Sequence, residues 1–226
     1  MITLNEYQRA AVEDESRACL VKANVGSGKT TVLVEKLRWL HEKKQIPYER
    51  MVVLTFTNKA ANEIRVRLGE RPLSDERQGK EADFACFGTF HSVALSMLRS
   101  QLPIETLGYR PDFTVIDPDE EVDLALALTE MYGLQIKYKN RLKKRIEQEE
   151  KAWRQGREQP RLKDELFRLF SLLEKEKIRL NRFSFSDLIR VAAQLLRSEA
   201  VGKPDWIIVD EVQILGKVIG LFRMMR

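Results

Sequence analysis

The sequence is poor in cysteine and has no long apolar runs. Its only two cysteines, Cys19 and Cys86, lie in short apolar segments typical of buried side chains in a reducing compartment, not of a disulfide framework or a metal site. No apolar stretch approaches the roughly 20 residues that span a bilayer. The first residues, MITLNEYQ, lack the basic and apolar regions of a signal peptide. We therefore expect a cytoplasmic protein without a membrane partner.

Glycine and proline are also sparse, with eleven and seven residues in a chain of 226. With 43% hydrophobic and 32% charged residues, this composition excludes disordered, collagen-like and disulfide-rich proteins. The length suits one large domain or two small ones. The net charge of +5 is mildly basic, which raises the question of nucleic acid without answering it.

Short apolar runs alternate with longer amphipathic segments. Runs such as MVVLTF and WIIVD are almost continuously apolar, as strands buried on both faces are. Parallel strands need helical crossovers, which the intervening segments can supply. The pattern predicts an α/β fold with a parallel sheet flanked by helices, and its strands at Ala18–Ala23, Met51–Phe56, Asp83–Gly88, Phe113–Ile116 and Trp206–Asp210.

Three segments carry helix-start signals. A capping box is predicted at Thr3–Glu6. Asp117–Glu120 offers a cap, a first-turn proline and two acids that suit the helix dipole, and Ser184–Asp187 opens a helix in the same manner. Each should open an amphipathic helix.

The segment Leu134–Arg182 has a different character. It carries 16 Lys or Arg against 8 Asp or Glu and no strand-like run. We predict an all-helical, basic subdomain over residues 100–181, inserted into an α/β domain formed by residues 1–99 and 182–226. Such charge is as typical of a solvated helix surface as of a binding face.

A phosphate-binding signature follows the first apolar run. The segment ANVGSGKT matches the Walker A pattern with alanine in place of its first glycine. Gly26 and Gly28 would let backbone amides turn toward a polyphosphate, Lys29 would lie between the β- and γ-phosphates, and the Thr30 hydroxyl would bind Mg²⁺. The alternative is a Gly/Ser turn that only caps a helix. The predicted nucleotide site comprises Ala23, Asn24, Val25, Gly26, Ser27, Gly28, Lys29, Thr30 and Thr31.

The last apolar run ends in two acids, as a Walker B strand does. Asp210 would hold Mg²⁺ through water, and Glu211 would orient and deprotonate the attacking water. Two surface acids at the end of a strand are the alternative. Together with the Walker A segment, the pair predicts binding of ATP or GTP with Mg²⁺.

The motifs taken together resemble the UvrD/Rep-type DNA helicases of superfamily 1. LNEYQRAAV (residues 4–12) is similar to their adenine-reading motif, in which Gln8 would contact the base and favour ATP over GTP. Residues 52–61 and 87–92 resemble two motifs that contact single-stranded DNA. FSFSDLI (183–189) is close to a further motif, with serine in place of acids. VDEVQ (209–213) resembles the family's Walker B segment, where Gln213 would couple nucleotide state to DNA.

The resemblance covers residues 2–213 in the family's order and spacing. It implies a RecA-like P-loop NTPase motor domain of an ATP-dependent, 3′-to-5′ DNA helicase, with ATP and Mg²⁺ as cofactors. The implied catalytic residues are Lys29, Asp210, Glu211 and Gln213.

The DNA-contacting positions follow predicted strands, where open α/β sheets bind ligands. Aromatic side chains there can stack bases, and hydroxyl and amide groups can bind phosphates. Judged alone, either phenylalanine would more often be a core residue; the resemblance favours binding. The candidate DNA-binding residues are Phe56, Thr57, Asn58, Thr89, Phe90 and His91.

After Gln213 the sequence departs from the family's pattern, and we expect the second motor domain and its arginines to be missing. We therefore expect weak ATP binding, slow hydrolysis at most and no unwinding unless a partner supplies the missing half. The tail, residues 214–226, would be a helix packed on the sheet or an exposed apolar patch. The alternatives are a catalytically idle module that binds ATP and single-stranded DNA, and a nucleotide switch unrelated to nucleic acid.

Overall fold

A computed structural model describes residues 3–16, 18–24, 26–69, 86–137, 139–154, 165–198 and 204–210. The predictions for Val25, Glu211, Gln213 and residues 214–226 lie outside this range. Eight helices are described: α1 (Glu6–Glu13), α2 (Lys29–Lys44), α3 (Asn58–Arg67), α4 (Phe90–Ser100), α5 (Pro118–Met131), α6 (Leu142–Arg154), α7 (Glu165–Arg179) and α8 (Phe185–Leu196). The described strands are β1 (Met51–Thr55), β2 (Phe87–Thr89), β3 (Thr114–Ile116), β4 (Arg182–Ser184) and β5 (Trp206–Val209).

Three of these strands form a parallel sheet in the order β2-β1-β5. The central strand β1 is buried along its whole length, as its unbroken apolar run predicts. Thr55 is in register with Thr89 of β2, and Leu54 with Val209 of β5. At the opposite end, the Arg50 guanidinium makes a bidentate ion pair with Asp205, at 2.6 and 2.8 Å. The predicted α/β class with a parallel sheet is therefore confirmed.

The first predicted strand does not form. Residues 18–24 have no regular secondary structure and are exposed, including the apolar side chains of Leu20 and Val21. Cys19 is exposed as well, whereas Cys86 is buried as predicted. An apolar run indicates strand propensity, but a strand needs a partner, and no ladder in the described chain includes this segment. The Walker A segment therefore follows an irregular stretch.

One face of helix α2 packs on the three-stranded sheet. Its residues Leu33, Leu37 and Leu40 join side chains of β1, β2 and α3 in one apolar core. Because β1 is buried and α2 covers it, the position of the Walker A segment, at the start of α2, is set by this packing.

A second, two-stranded parallel sheet pairs β3 with β4. The prediction assigned Phe113–Ile116 to the main sheet, and this assignment is wrong. Apolar residues of α5, α6 and α7 form a separate core that includes Ala125, Leu142 and Leu169. The predicted insert is therefore rich in helices but also contributes one short strand.

Two of the three predicted helix starts are confirmed, and both are capping boxes. Asp117 with Glu120 caps α5, and Ser184 with Asp187 caps α8. The first box is shifted by two residues: Asn5 caps α1, and its reciprocal partner is Gln8 instead of Glu6. Asparagine competes well with threonine for this position, and the shift involves Gln8, a residue of the predicted nucleotide site.

The chain divides into two compact units. The first comprises Met1–Val93 and Lys203–Gln213, and the second is built on Ala94–Gly202. Residues 182–198 group with the second unit, whereas the sequence predicts them in the α/β domain. The domain bounds 1–99, 100–181 and 182–226 stay a prediction. Among the described helices, none combines the length and hydropathy of a membrane span.

Candidate nucleotide and nucleic-acid site

Two glycines shape the Walker A loop. Gly26 and Gly28 adopt left-handed φ values of 79° and 83°, a region that glycine enters without steric cost. Gly28 is the N-cap of α2 and offers no side chain to the first-turn amides. A negatively charged ligand can therefore accept from these amides, which also carry the positive end of the helix dipole.

The side chains of Ser27 and Lys29 bind the same loop. The Lys29 ammonium donates to the carbonyl oxygens of Ala23 and Asn24, at 3.2 and 2.9 Å, and the Ser27 hydroxyl donates to Asn24 at 2.7 Å. The lysine thus lies against the loop that begins its own helix, with one ammonium hydrogen left for a further acceptor.

The side-chain amide of Gln8 lies against this loop. Its oxygen accepts from the Asn5 N–H at 3.0 Å, and its nitrogen donates to the Ser27 carbonyl at 3.1 Å. These two partners determine the positions of the side-chain oxygen and nitrogen of Gln8, because Asn5 offers a hydrogen and Ser27 a lone pair. One N–H and one lone pair of Gln8 remain, the donor and acceptor that the N7 and N6 edge of adenine requires.

The side chains predicted to bind Mg²⁺ offer only part of the oxygen ligands that this cation needs. Thr30 and Thr31 lie in the first turn of α2, and Thr30 would offer one hydroxyl oxygen. Within the described residues, no three His, Cys, Asp or Glu side chains cluster as a metal site. Magnesium would therefore need oxygens from a bound nucleotide and from water in addition to Thr30 and Asp210, which is its usual mode in proteins that bind nucleotides.

The carboxyl ends of the sheet strands gather the other predicted residues. Thr55 and Thr89 are partners in register, so the segments that follow β1 and β2 leave the sheet at the same edge. Asp210 reaches this edge as well, because its N–H donates to the Leu54 carbonyl at 2.9 Å. The structure thus brings the two predicted DNA motifs and Asp210 to one edge of the sheet.

Phe56 is the exposed aromatic side chain of this edge. It is 64% exposed directly after the buried strand β1, so the alternative that Phe56 is a core residue is wrong. Phe90 and His91, in the first turn of α4, are half-buried. Asn58 is exposed at the start of α3.

The two threonines of these motifs also stabilise the turns that follow the strands. The Thr57 hydroxyl accepts from the Ala60 N–H at 3.1 Å and caps α3. The Thr89 hydroxyl accepts from the Ser92 N–H at 3.3 Å. The Thr89 hydroxyl also donates to the Ser92 hydroxyl at 3.1 Å, so it keeps a lone pair, whereas the Thr57 hydroxyl keeps its hydrogen for a further acceptor.

A buried lysine in the middle of α2 was not predicted from the sequence. Lys36 of α2 is only 8% exposed, and its ammonium donates to backbone carbonyls at the end of α1. The signal in the sequence was a lysine amid the apolar residues of VLVEKLRWL, with a tryptophan three residues later.

The second unit holds five charged side chains in contact with one another, here called the buried ion network: Glu121, Lys177 and Asp187 are buried, and Glu174 and Arg190 are partly exposed. Lys177 contacts Asp187, Glu174 and Glu121 at 2.7, 2.8 and 3.0 Å. Arg190 contacts Glu174 at 2.5 Å and Asp187 at 2.6 Å. The pattern FSFSDL placed Asp187 at a helix start but gave no hint of these partners.

A family comparison covers most of this chain. The family model described as "UvrD/REP helicase N-terminal domain" matches residues 4–217 of this chain. The chain is therefore a member of the UvrD/REP helicase family, as the motifs predicted.

Individual relatives carry names of DNA helicases. ATP-dependent DNA helicase Rep of Buchnera aphidicola is 29% identical over 94% of this chain and 33% of its own length. ATP-dependent DNA helicase UvrD1 of Mycobacterium leprae is 34% identical over 59% of this chain and 16% of its own. ATP-dependent DNA helicase PcrA of Staphylococcus epidermidis is 33% identical over 52% and 15%. The chain thus spans a third or less of the length of these relatives.

Proposed function

We propose that this chain is the ATP-binding motor domain of an ATP-dependent DNA helicase that moves 3′ to 5′ on single-stranded DNA. The proposal depends on one observation above all. A loop with two left-handed glycines leads directly into α2, and Gln8 is hydrogen-bonded against that loop.

ATP would be held at both of its ends. The amides at the start of α2 and the Lys29 ammonium would bind the phosphates, while the remaining donor and acceptor of Gln8 would bind adenine. Magnesium, when bound, neutralises charge on the β- and γ-phosphates. Thr30 and Asp210 would hold it, Glu211 would orient the attacking water, and Gln213 would relay nucleotide state to DNA.

Single-stranded DNA would cross the carboxyl edge of the sheet. The exposed ring of Phe56 can stack a base, and Phe90 and His91 lie at the same edge. Thr57, Asn58 and Thr89 would bind phosphates around them, Thr89 by turning its hydroxyl away from Ser92. ATP and DNA would then contact successive elements of the same core, which is what coupling between the two ligands needs.

Calorimetric titration with magnesium ATP tests the nucleotide site. We expect the chain to bind and to gain thermal stability, and the K29A variant to lose both effects without unfolding. K22A is the matched control, because Lys22 is exposed just before the loop. Retention of full ATP stabilisation by K29A would contradict the assignment of the loop.

Fluorescent oligo(dT) tests the DNA site. Binding should weaken as salt rises, because phosphate contacts release counterions. Absence of binding at low salt would instead support a nucleotide switch unrelated to nucleic acid.

An idle binding module shares all of these sites and differs only in turnover. DNA-stimulated phosphate release therefore separates the two functions. Release above roughly 1 s⁻¹ is ordinary for an enzyme and would exclude the idle module.

A further inference from the structure

The ammonium of Lys36 is enclosed in the first unit. It donates to the Val12 carbonyl at 2.8 Å and to the Asp14 carbonyl. The rings of Trp39 and Trp206 lie on it, each with its centroid 4.7 Å from the nitrogen. Burial lowers the pKa of Lys36, and the nearby Asp14 carboxylate opposes that shift. Two hydrogen bonds and two cation–π contacts thus replace the water that this cation has lost.

The two carbonyls belong to the C-terminal end of α1, the helix that carries Gln8. Lys36 therefore supplies hydrogen bonds that the end of this helix cannot make internally. Helix α1 has only eight residues, and so short a helix is marginal by itself. Its placement therefore depends on its packing against α2, where Val12 is buried, and on what holds its two ends.

Those ends are held by two side-chain contacts with the loop and helix of the Walker A motif. At the N-terminal end, Gln8 donates to the Ser27 carbonyl. At the C-terminal end, Lys36 holds Val12, which lies one turn after Gln8 on the same face. Lys36 follows Lys29 by seven residues of α2, or two helical turns, so both lysines project from one face. One face of α2 thus carries both the proposed phosphate ligand and the anchor of α1.

We infer that Lys36 is a positioning residue for adenine recognition, which sets Gln8 at its distance from the Walker A loop by fixing α1 on α2. This inference rests on the proposed function. Without the ammonium, two carbonyls at the end of α1 lose their partner, and α1 can shift while α2 stays on the sheet. The base contact would weaken, and the phosphate contacts would remain.

Titrations of magnesium ATP, magnesium GTP and magnesium tripolyphosphate test this role. Tripolyphosphate reports the loop alone, whereas ATP also reports Gln8. For K36M we expect about tenfold weaker ATP binding, the size of one lost hydrogen bond, and a smaller ATP preference over GTP. Tripolyphosphate affinity should stay within about twofold, which a general disturbance of the fold would not allow.

Two further variants serve as controls for K36M. K36R should keep the wild-type preference, because a guanidinium donates to carbonyls and stacks on aromatic rings. K44M is the matched control: Lys44 lies on the same helix, 5.1 Å from the Trp39 centroid, and pairs with Glu15. It should bind ATP as the wild type does. If K36M does not fold, K36Q, which can still donate to one carbonyl, takes its place.

A double variant, in which K36M is added to Q8A, tests whether Lys36 acts through Gln8. If Lys36 acts through Gln8, adding K36M to Q8A should weaken ATP binding no further. Equal losses for ATP and tripolyphosphate, no loss for either, or a full additional loss in Q8A would each overturn the inference. A wild-type chain that binds neither ligand would refute the proposed function itself, and is thus distinguishable from these results.

Discussion

Gly28 meets two separate constraints at once. Its φ of 83° is unfavourable for any residue with a Cβ, and an added Cβ would lie 3.1 Å from the Gln8 side-chain nitrogen. The first constraint concerns stability, and the second concerns the residue proposed to bind adenine. A comparison between glycines can separate them.

We predict that G28A loses about 1–2 kcal/mol of stability, the cost of a left-handed alanine, and also loses ATP affinity. Urea unfolding and calorimetry measure the two effects. G133A is the control, because Gly133 has a φ of 62° and nothing within 4 Å of an added Cβ. It should show the loss of stability alone. Unchanged ATP binding by G28A would argue against a close fit between Gln8 and the loop.

Phe56 allows a similar separation of binding from folding. Because its ring is 64% exposed, F56A should change stability by less than about 0.5 kcal/mol. Loss of a stacked base should weaken oligo(dT) binding by about tenfold or more in a fluorescence titration. V66A, which shortens an exposed apolar side chain of α3, should bind like the wild type. Equal affinities of F56A and V66A would remove Phe56 from the DNA site.

At the scale of elements, the buried ion network joins three helices. Glu121 is on α5, Glu174 and Lys177 on α7, and Asp187 and Arg190 on α8. Burial by itself raises the pKa of Asp187, but the charges of Lys177 and Arg190 outweigh it and lower the pKa to about 2. The same carboxylate accepts from the Ser184 N–H at the start of α8.

This depressed pKa predicts an acid-sensitive second unit. The stabilisation is complete above the ordinary Asp pKa of 3.8 and is lost as pH falls through about 2, a change of about 2 kcal/mol. D187N should be less stable at pH 7 and should lose less stability between pH 5 and 2 than the wild type. Urea unfolding across this range measures the difference. E105Q, at an exposed acid of the same unit, should follow the wild-type curve, and parallel curves for D187N would contradict the prediction.

The sequence predicted helix starts well, because a cap depends only on residues that are close together in the chain. The boxes at Asp117 and Ser184 need only residues three positions away, and both form. The run at residues 18–23 has the apolar character of a strand, but pairing is decided by distant residues, which a local pattern does not include. The shift of the first box to Asn5 shows how two adjacent caps can compete within one turn.

In the candidate site, too, residues that belong to a local motif could be predicted, whereas residues whose partners are distant in the chain could not. Motif spacing indicated Gln8, Lys29 and the residues after β1 and β2, because each motif is local in sequence. The roles of Lys36 and Lys177 depend on partners contributed by several elements, and a lysine in an amphipathic helix is usually a solvated one.

At the scale of the whole molecule, the two units have separate apolar cores. We predict that ATP protects only the first unit. At 100 times the dissociation constant, a ligand stabilises its site by about 2.7 kcal/mol, so amides of α2 and β1 should exchange about a hundredfold more slowly. Amides of β3 and β4 should exchange at unchanged rates. Equal slowing in both units would show that they unfold together.

The first unit is discontinuous in sequence, and this has a consequence during synthesis. Strand β1 pairs with β5, but β5 begins at Trp206, well over a hundred residues after β2 ends at Thr89. At about 5–20 residues per second, a ribosome needs on the order of 10 s to make the intervening chain. The residues between β2 and β5 can fold before β5 is made, so β1 gains its second neighbour, and the three-stranded sheet is completed, only after those residues have been synthesised.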